Sequence, residues 1–177
     1  SAPEFDASKW QPVETVQVQT KELRAQTIPP MRKIREIRPV KITEPYKGTY
    51  VYDMGVNFTG WILLNISGKS GQQIVLRYAD QLLPDGRIDQ HNSGPGAHGF
   101  GQIDRVTLDG SRNETWEPSF LYHAFRYVEI SGVTEPPTLD TLTGVEVHTD
   151  VEPVGSFECS DELLNKIYAV SRHTFLC

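Results

Sequence analysis

From about residue 49 to 158 the apolar positions fall into short runs with a period of two, rather than the 3.6 of a helix. Runs at 50–52, 61–66, 74–79, 106–108, 125–130 and 142–148, with a last one at 155–158, are rich in β-branched and aromatic residues. Gly55, the segments 67–71 and 83–86, Asp109 with Gly110, and Ser131 with Gly132 punctuate them. Alternation of this kind between turn residues predicts half-buried strands, and so many of them predict an all-β fold, an antiparallel β-sandwich of jelly-roll or concanavalin-like type. The order of the strands is not legible from the pattern.

The two ends of the chain read differently. Residues 1–48 are expected to be a connector that contributes some strand. Trp10 is one aromatic anchor, Val16 and Val18 alternate with Gln17 and Gln19, and Pro29 and Pro30 interrupt any ladder. A second alternating run passes through Ile34, Ile37, Val40 and Ile42. At the other end Ser160 suits an N-cap, with Asp161 and Glu162 favourably placed for the helix dipole. Leu163, Leu164, Ile167 and Val170 then recur at helical spacing. The expectation is one C-terminal α-helix over 160–176, the start of a further domain. The predicted organisation is therefore a connector at 1–48, a sandwich at 49–158 and a helix within 159–177.

Composition narrows the function classes. Of 177 residues 38% are hydrophobic and 23% charged, a globular balance, and the formal net charge is −6. An acidic chain argues against nucleic acid as a partner. The basic residues Arg32, Lys33, Arg35, Arg38 and Lys41 alternate with apolar ones and read as a solvated strand face. No apolar run approaches the ~18 residues of a membrane-spanning helix. Cys159 and Cys177 are expected to be free, buried thiols, because a helix of roughly 24 Å would hold them apart.

Candidate chemistry is sparse. Glu117 and Glu129, in aromatic company, are the most tempting pair for acid–base work, yet both read as ordinary strand positions, and no catalytic residue is assigned. Asp89, His91, His98 and Asp104 could mix nitrogen and oxygen ligands, but their spacing fits no metal template. No Gly-x-Ser-x-Gly elbow or phosphate-binding glycine loop occurs, so no cofactor is expected. Sugar binding is the serious possibility. Trp61, Tyr78, Trp116, Tyr122 and Tyr127 could serve as stacking platforms, although most sit in strand patterns and should be core. The loop 85–102 is long and polar. It offers Asp89, Gln90, His91 and Asn92, and the sugar-contact candidates are Asp89, His91 and Asn92 with Asp104 just beyond the loop.

Several segments together resemble the α-L-rhamnosidases of glycoside hydrolase family 78. YVYDMGVNFTGW at 50–61 is similar to a family segment of the form YVYDxGxNFxGW. LRYAD at 76–80 with LPDG at 83–86 resembles LRYAE followed by DG, with Asp80 in place of glutamate. WEPSF at 116–120 and YHAFRYVE at 122–129 resemble WEPxFxYHGFRYVEV, with Ala124 in place of glycine. GSFECSD at 155–161, followed by Leu163, Leu164 and Asn165, looks like the family's entry into its helical catalytic barrel. The segment 101–110 departs most from the family pattern. The resemblance implies a concanavalin-like β-sandwich preceded by the tail of another β-domain and followed in cis by an (α/α) catalytic barrel that carries the acid and base. The implied parent hydrolyses terminal L-rhamnose from glycans or glycosides, with a periplasmic or secreted location the accompanying expectation. This chain would support or border the active site, with its polar loop at the barrel mouth. An independent module binding rhamnose-containing glycans and a purely structural spacer are the alternatives.

Overall fold

A computed structural model describes residues 6–17, 22, 24–91 and 101–177. The chain order is β1 (Met31–Ile37), β2 (Lys41–Tyr46), β3 (Thr49–Ile66), β4 (Gln73–Ala79), β5 (Gln81–Leu82), β6 (Ile88–Asp89), β7 (Ile103–Thr107), β8 (Glu114–Trp116), β9 (His123–Ser131), β10 (Leu142–Thr149) and α1 (Glu162–Leu176). The antiparallel order is β1-β10-β3-β9-β4-β7, with β2 and β8 each pairing with β3, and β5 and β6 forming a separate hairpin. The fold is all-β, as the alternation predicts, with one curled sheet and a C-terminal helix.

One strand explains why a sheet can enclose its own core. The alternation suggests two strands in 50–66, separated at Gly55, but these residues form a single strand of 18. Its first half lies between β2 and β9, and its second half between β10 and β9, with β8 taking over at the end. Between the halves the register with β9 jumps from Asp53 opposite Tyr127 to Phe58 opposite Phe125. A bulge of this size bends a strand and raises its twist. Gly55 supplies the positive φ of 79° there. Its N–H donates to Asp53 Oδ1 at 2.7 Å, and the Arg126 guanidinium grips both Asp53 oxygens, Nε to Oδ1 at 2.8 Å and Nη2 to Oδ2 at 2.9 Å. That ion pair holds the Asp53 carboxyl below the usual carboxylate range.

Inside the curl, Ile37, Tyr52, Met54, Phe58, Ile62, Leu64, Ile74, Leu76, Val106, Phe125, Val128, Ile130 and Leu142 form one core drawn from six strands. One polar cluster is buried among them. The Tyr78 hydroxyl donates to Asp104 Oδ2 at 2.7 Å, His123 Nε2 lies 3.1 Å from Asp104 Oδ1, and the Tyr78 and His123 rings stack at 4.2 Å. It ties β4, β7 and β9 together, and among the described residues no buried side-chain nitrogen or oxygen lacks a partner.

Several expectations need correction. The sheet begins at Met31, ahead of position 49, because β1 completes the edge of β10 and β2 the edge of β3. Val16 is exposed and outside any strand, and Val18 lies outside the described residues. Residues 155–158 run without ladder partners rather than as a strand. The helix is capped by Asp161, not Ser160; its carboxylate accepts from the N–H groups of Leu163 and Leu164. Both cysteines are free, but Cys159 is half-buried and Cys177 exposed, since α1 lays little of its surface on the sheet.

Two expected outcomes follow from the packing. A β-carbon on Gly60 would lie 1.8 Å from the Val145 carbonyl oxygen, inside the β3–β10 pair. Gly60→Ala should therefore cost about 3 kcal/mol in urea unfolding. The second concerns alkali. Burial pushes the Tyr52 phenol, which donates to the Thr138 carbonyl, up to about 12, and burial beside Asp104 pushes Tyr78 well above its ordinary value. An unfolded tyrosine ionises near pH 10, so this stability is complete below pH 10 and lost as pH rises towards about 12. Tyr52's share is roughly 2–3 kcal/mol. Unfolding midpoints at about pH 9 and pH 11.5 should differ less in Tyr52→Phe than in the parent chain.

Candidate functional site

The site lies on the outer face of the sheet and owes its position to a change of phase in β9. His123 and Phe125 point inward, and so do Val128 and Ile130, a step of three across Arg126 and Tyr127. A strand in strict alternation would send Glu129 to the same side as Phe125, into the core. The extra residue sends Tyr127 and Glu129 outward instead, beside Val51 of β3 and Arg77 and Ala79 of β4.

The β5–β6 hairpin then folds over that face. Its turn closes through Leu83 N–H to the Arg87 carbonyl at 2.7 Å and Gly86 N–H to the Leu83 carbonyl at 2.9 Å. Ile88 sits down on Val51, Ala79 and Tyr127, a small apolar cluster separate from the main core. Glu129 is thereby left only 2% exposed. A buried carboxylate needs a counter-charge. Arg77 provides it through Nη1 to Glu129 Oε1 at 2.8 Å, while its Nε and Nη2 donate to Gln90 Oε1 at 3.2 and 2.8 Å. Gln90 in turn donates from Nε2 to the Tyr78 and Gln102 carbonyls, pinning the exit of the hairpin to the β4 backbone. The Tyr46 hydroxyl reaches Glu129 Oε2 at 3.4 Å. At the rim, Asp85 is held below the usual carboxylate range, first by the Arg87 backbone N–H and then by its guanidinium. Between hairpin, β2 and sheet lies a cavity of about 220 Å³.

The four sugar-contact candidates have different fates. Asp89, mostly buried, accepts from the His91 backbone N–H at 2.9 Å and lies 3.4 Å from His91 Nδ1. The His91 side chain is exposed and lines the cavity with Gln90. Asn92 and His98 lie outside the described residues, as does half of the loop 85–102 to which they belong. Asp104 requires a correction. The even positions of β7 face the core, so its carboxylate is 5% exposed and engaged by Tyr78 and His123, on the opposite face from the cavity. Tyr78, considered as a platform, is likewise core. Sequence reasoning missed Arg77 and Tyr46, which only strand pairing brings to Glu129, and Arg87, which lines the same cavity from the hairpin turn.

Glu117 and Glu129 are not a catalytic pair. Glu117 accepts from Lys33 Nζ at 2.8 Å and from Trp61 Nε1 at 2.9 Å, against the second half of β3, and the lysine holds it below the usual carboxylate range. Glu129 lies against the first half. Roughly 30 Å of strand separates their positions along β3, whereas a glycosidase sets its carboxyl groups about 5–10 Å apart. Among the described residues no three of His, Cys, Asp and Glu converge as metal ligands.

Comparison with known proteins bears on this arrangement. Residues 43–148 match the family model described as the bacterial α-L-rhamnosidase concanavalin-like domain. An α-L-rhamnosidase of Formosa agariphila is 38% identical over 173 residues, 97% of this chain but 18% of the relative. The solved α-L-rhamnosidase of Dictyoglumus thermophilum superposes with a TM-score of 0.87 at 38% identity, over 98% of this chain and 19% of that one. The Streptomyces avermitilis α-L-rhamnosidase solved with L-rhamnose gives 0.77 at 36% identity, over 84% and 14%. The chain thus spans less than a fifth of the length of these relatives.

Removing Arg77 would leave Glu129 buried beside an unfilled gap. Because Arg77 is itself about a third exposed, Arg77→Ala should cost about 2–3 kcal/mol, at or below the low end for a broken buried pair. Adding Glu129→Gln to it should recover at least half of that loss, read as the shift in urea midpoint.

Proposed function

Because the chain belongs to the family of the bacterial α-L-rhamnosidase concanavalin-like domain, we propose that it is the non-catalytic β-sandwich of an enzyme that hydrolyses terminal L-rhamnose from glycans or glycosides. The observation that carries this reading is coverage. The relatives named α-L-rhamnosidase match nearly the whole chain, yet the chain accounts for less than a fifth of each. Its two most suggestive carboxylates serve structural ion pairs, so the acid and base belong elsewhere in the parent.

Within that enzyme the domain supports its neighbour in cis. Leu163, Ile167, Val170 and Phe175 of α1 each expose more than half of their surface. A stripe of that kind on one helix is a contact surface rather than a solvent face. The α1 terminus is nevertheless fixed to the sheet. His173 Nε2 meets the Asn57 carbonyl at 2.6 Å, and the Thr59 hydroxyl donates to the Cys177 carbonyl at 3.0 Å. The helix therefore acts as a rigid bracket running from the β3 bulge to a helical catalytic domain.

The 177-residue chain should show no turnover of an aryl α-L-rhamnoside, while the full-length parent turns it over. Ile167→Lys in the parent should lower the temperature at which activity is lost and leave KM unchanged. Turnover by the chain alone, or indifference of the parent to Ile167→Lys, would count against the accessory role.

A further inference from the structure

We propose that the cavity beneath the β5–β6 hairpin is a subsite for one neutral sugar ring, held by Tyr46, Arg77, Arg87, Gln90 and Glu129. This deepens the rhamnosidase reading, on which it rests only for the choice of L-rhamnose as probe.

Size sets the first limit. About 220 Å³ falls below the roughly 300–1,000 Å³ that drug-sized ligands occupy, so the cavity suits a single ring with the rest of a glycan outside. Chemistry sets the second. Hydroxyl groups donate and accept, and the wall offers both. Among the described residues Arg77 spends three of its five N–H groups on Glu129 and Gln90, and Arg87 spends one on Asp85. Among the described residues Glu129 Oε2 meets only the Tyr46 hydroxyl, at a loose 3.4 Å, which leaves it lone-pair capacity for a sugar hydroxyl. Leu83 and Ile88 supply an aliphatic wall, and Tyr46, 44% exposed, adds aromatic surface to the lining, the kind on which the C–H side of a pyranose stacks.

Charge decides the class of ligand. Arg77 is paired with Glu129 and Arg87 with Asp85, so the formal charges of these two pairs cancel. An acidic sugar would find each guanidinium already neutralised and would meet the buried Glu129. A neutral polyol meets neither objection. The wall is also fixed before binding, since Ile88 is buried and Gln90 is bonded to two backbone carbonyls. Little ordering entropy then opposes binding.

The test is titration of the full chain with L-rhamnose and, separately, D-glucuronate, followed by amide NMR shifts. The expected result is saturable binding of L-rhamnose in the millimolar range, ordinary for so small a ligand, with shifts at Arg77, Arg87, Gln90 and His91. Tyr46→Phe should weaken it about three- to ten-fold, and Tyr46→Ala by more, both with unchanged spectral dispersion. A flat titration of a well-dispersed spectrum would overturn the subsite, as would shifts confined to the separate hollow beside Tyr122 and Phe175. Tighter binding of glucuronate would overturn the neutral class. None of these results touches the accessory-domain reading, which stands or falls on turnover by the chain alone.

Discussion

The ion pair between Asp53 and Arg126 sits where two unequal lengths of strand must stay in step. Between the positions paired with Tyr127 and Phe125, β3 carries four extra residues and β9 one. On β3 the inward phase survives, because Tyr52 and Phe58 are an even number apart. On β9 it inverts, because Phe125 and Val128 are an odd number apart. Both consequences are needed at once. The long strand bends so that its halves serve different neighbours, and Glu129 leaves the core for the face under the hairpin. A guanidinium on both oxygens of a half-buried carboxylate is a directional lock for such a junction, because the bidentate geometry accepts only one relative placement of the strands.

Seen from this junction, the two faces of the sheet handle polar groups in contrasting ways. Inside, Tyr78, Asp104 and His123 satisfy one another and are closed to solvent, so their contribution is to specify which strands sit together. Outside, Arg77, Glu129 and Gln90 also satisfy one another, but spare donors and a loosely held carboxylate oxygen face a cavity. Hydrogen-bonded polar side chains thus close a core on one side and line a cavity on the other. What separates them is whether the sheet curls over them or a short hairpin merely roofs them.

The helix adds a third kind of surface. It buries little against the sheet, yet both ends are set: Asp161 caps the first turn and the last turn is bonded to the β3 bulge. An apolar stripe on a positioned helix is the form a domain junction takes when neighbours must hold a fixed angle. The bulge that orients β9 therefore also anchors the helix that carries this stripe.

The sequence by itself determined the all-β class, most of the strands, the terminal helix and the family, because those rest on local periodicity, turn residues and contiguous motifs. The alternation around Gly55 and the segment YVYDMGVNFTGW were both visible, although their meaning as one bent strand was not. Ser160 and Asp161 are both good caps, and backbone geometry rather than residue preference chose between them. The candidate site was legible only in part: Gln90 and His91 fall within the loop picked out by its length and polarity. Asp104 looked like a loop-end polar residue because its burial depends on the parity of β7 against β4. Arg77 and Glu129 lie 52 positions apart, and Tyr46 comes from a third strand. Only the tertiary structure could bring them together, since side-chain direction in a sheet is set by register, and one bulge reverses it for every residue that follows.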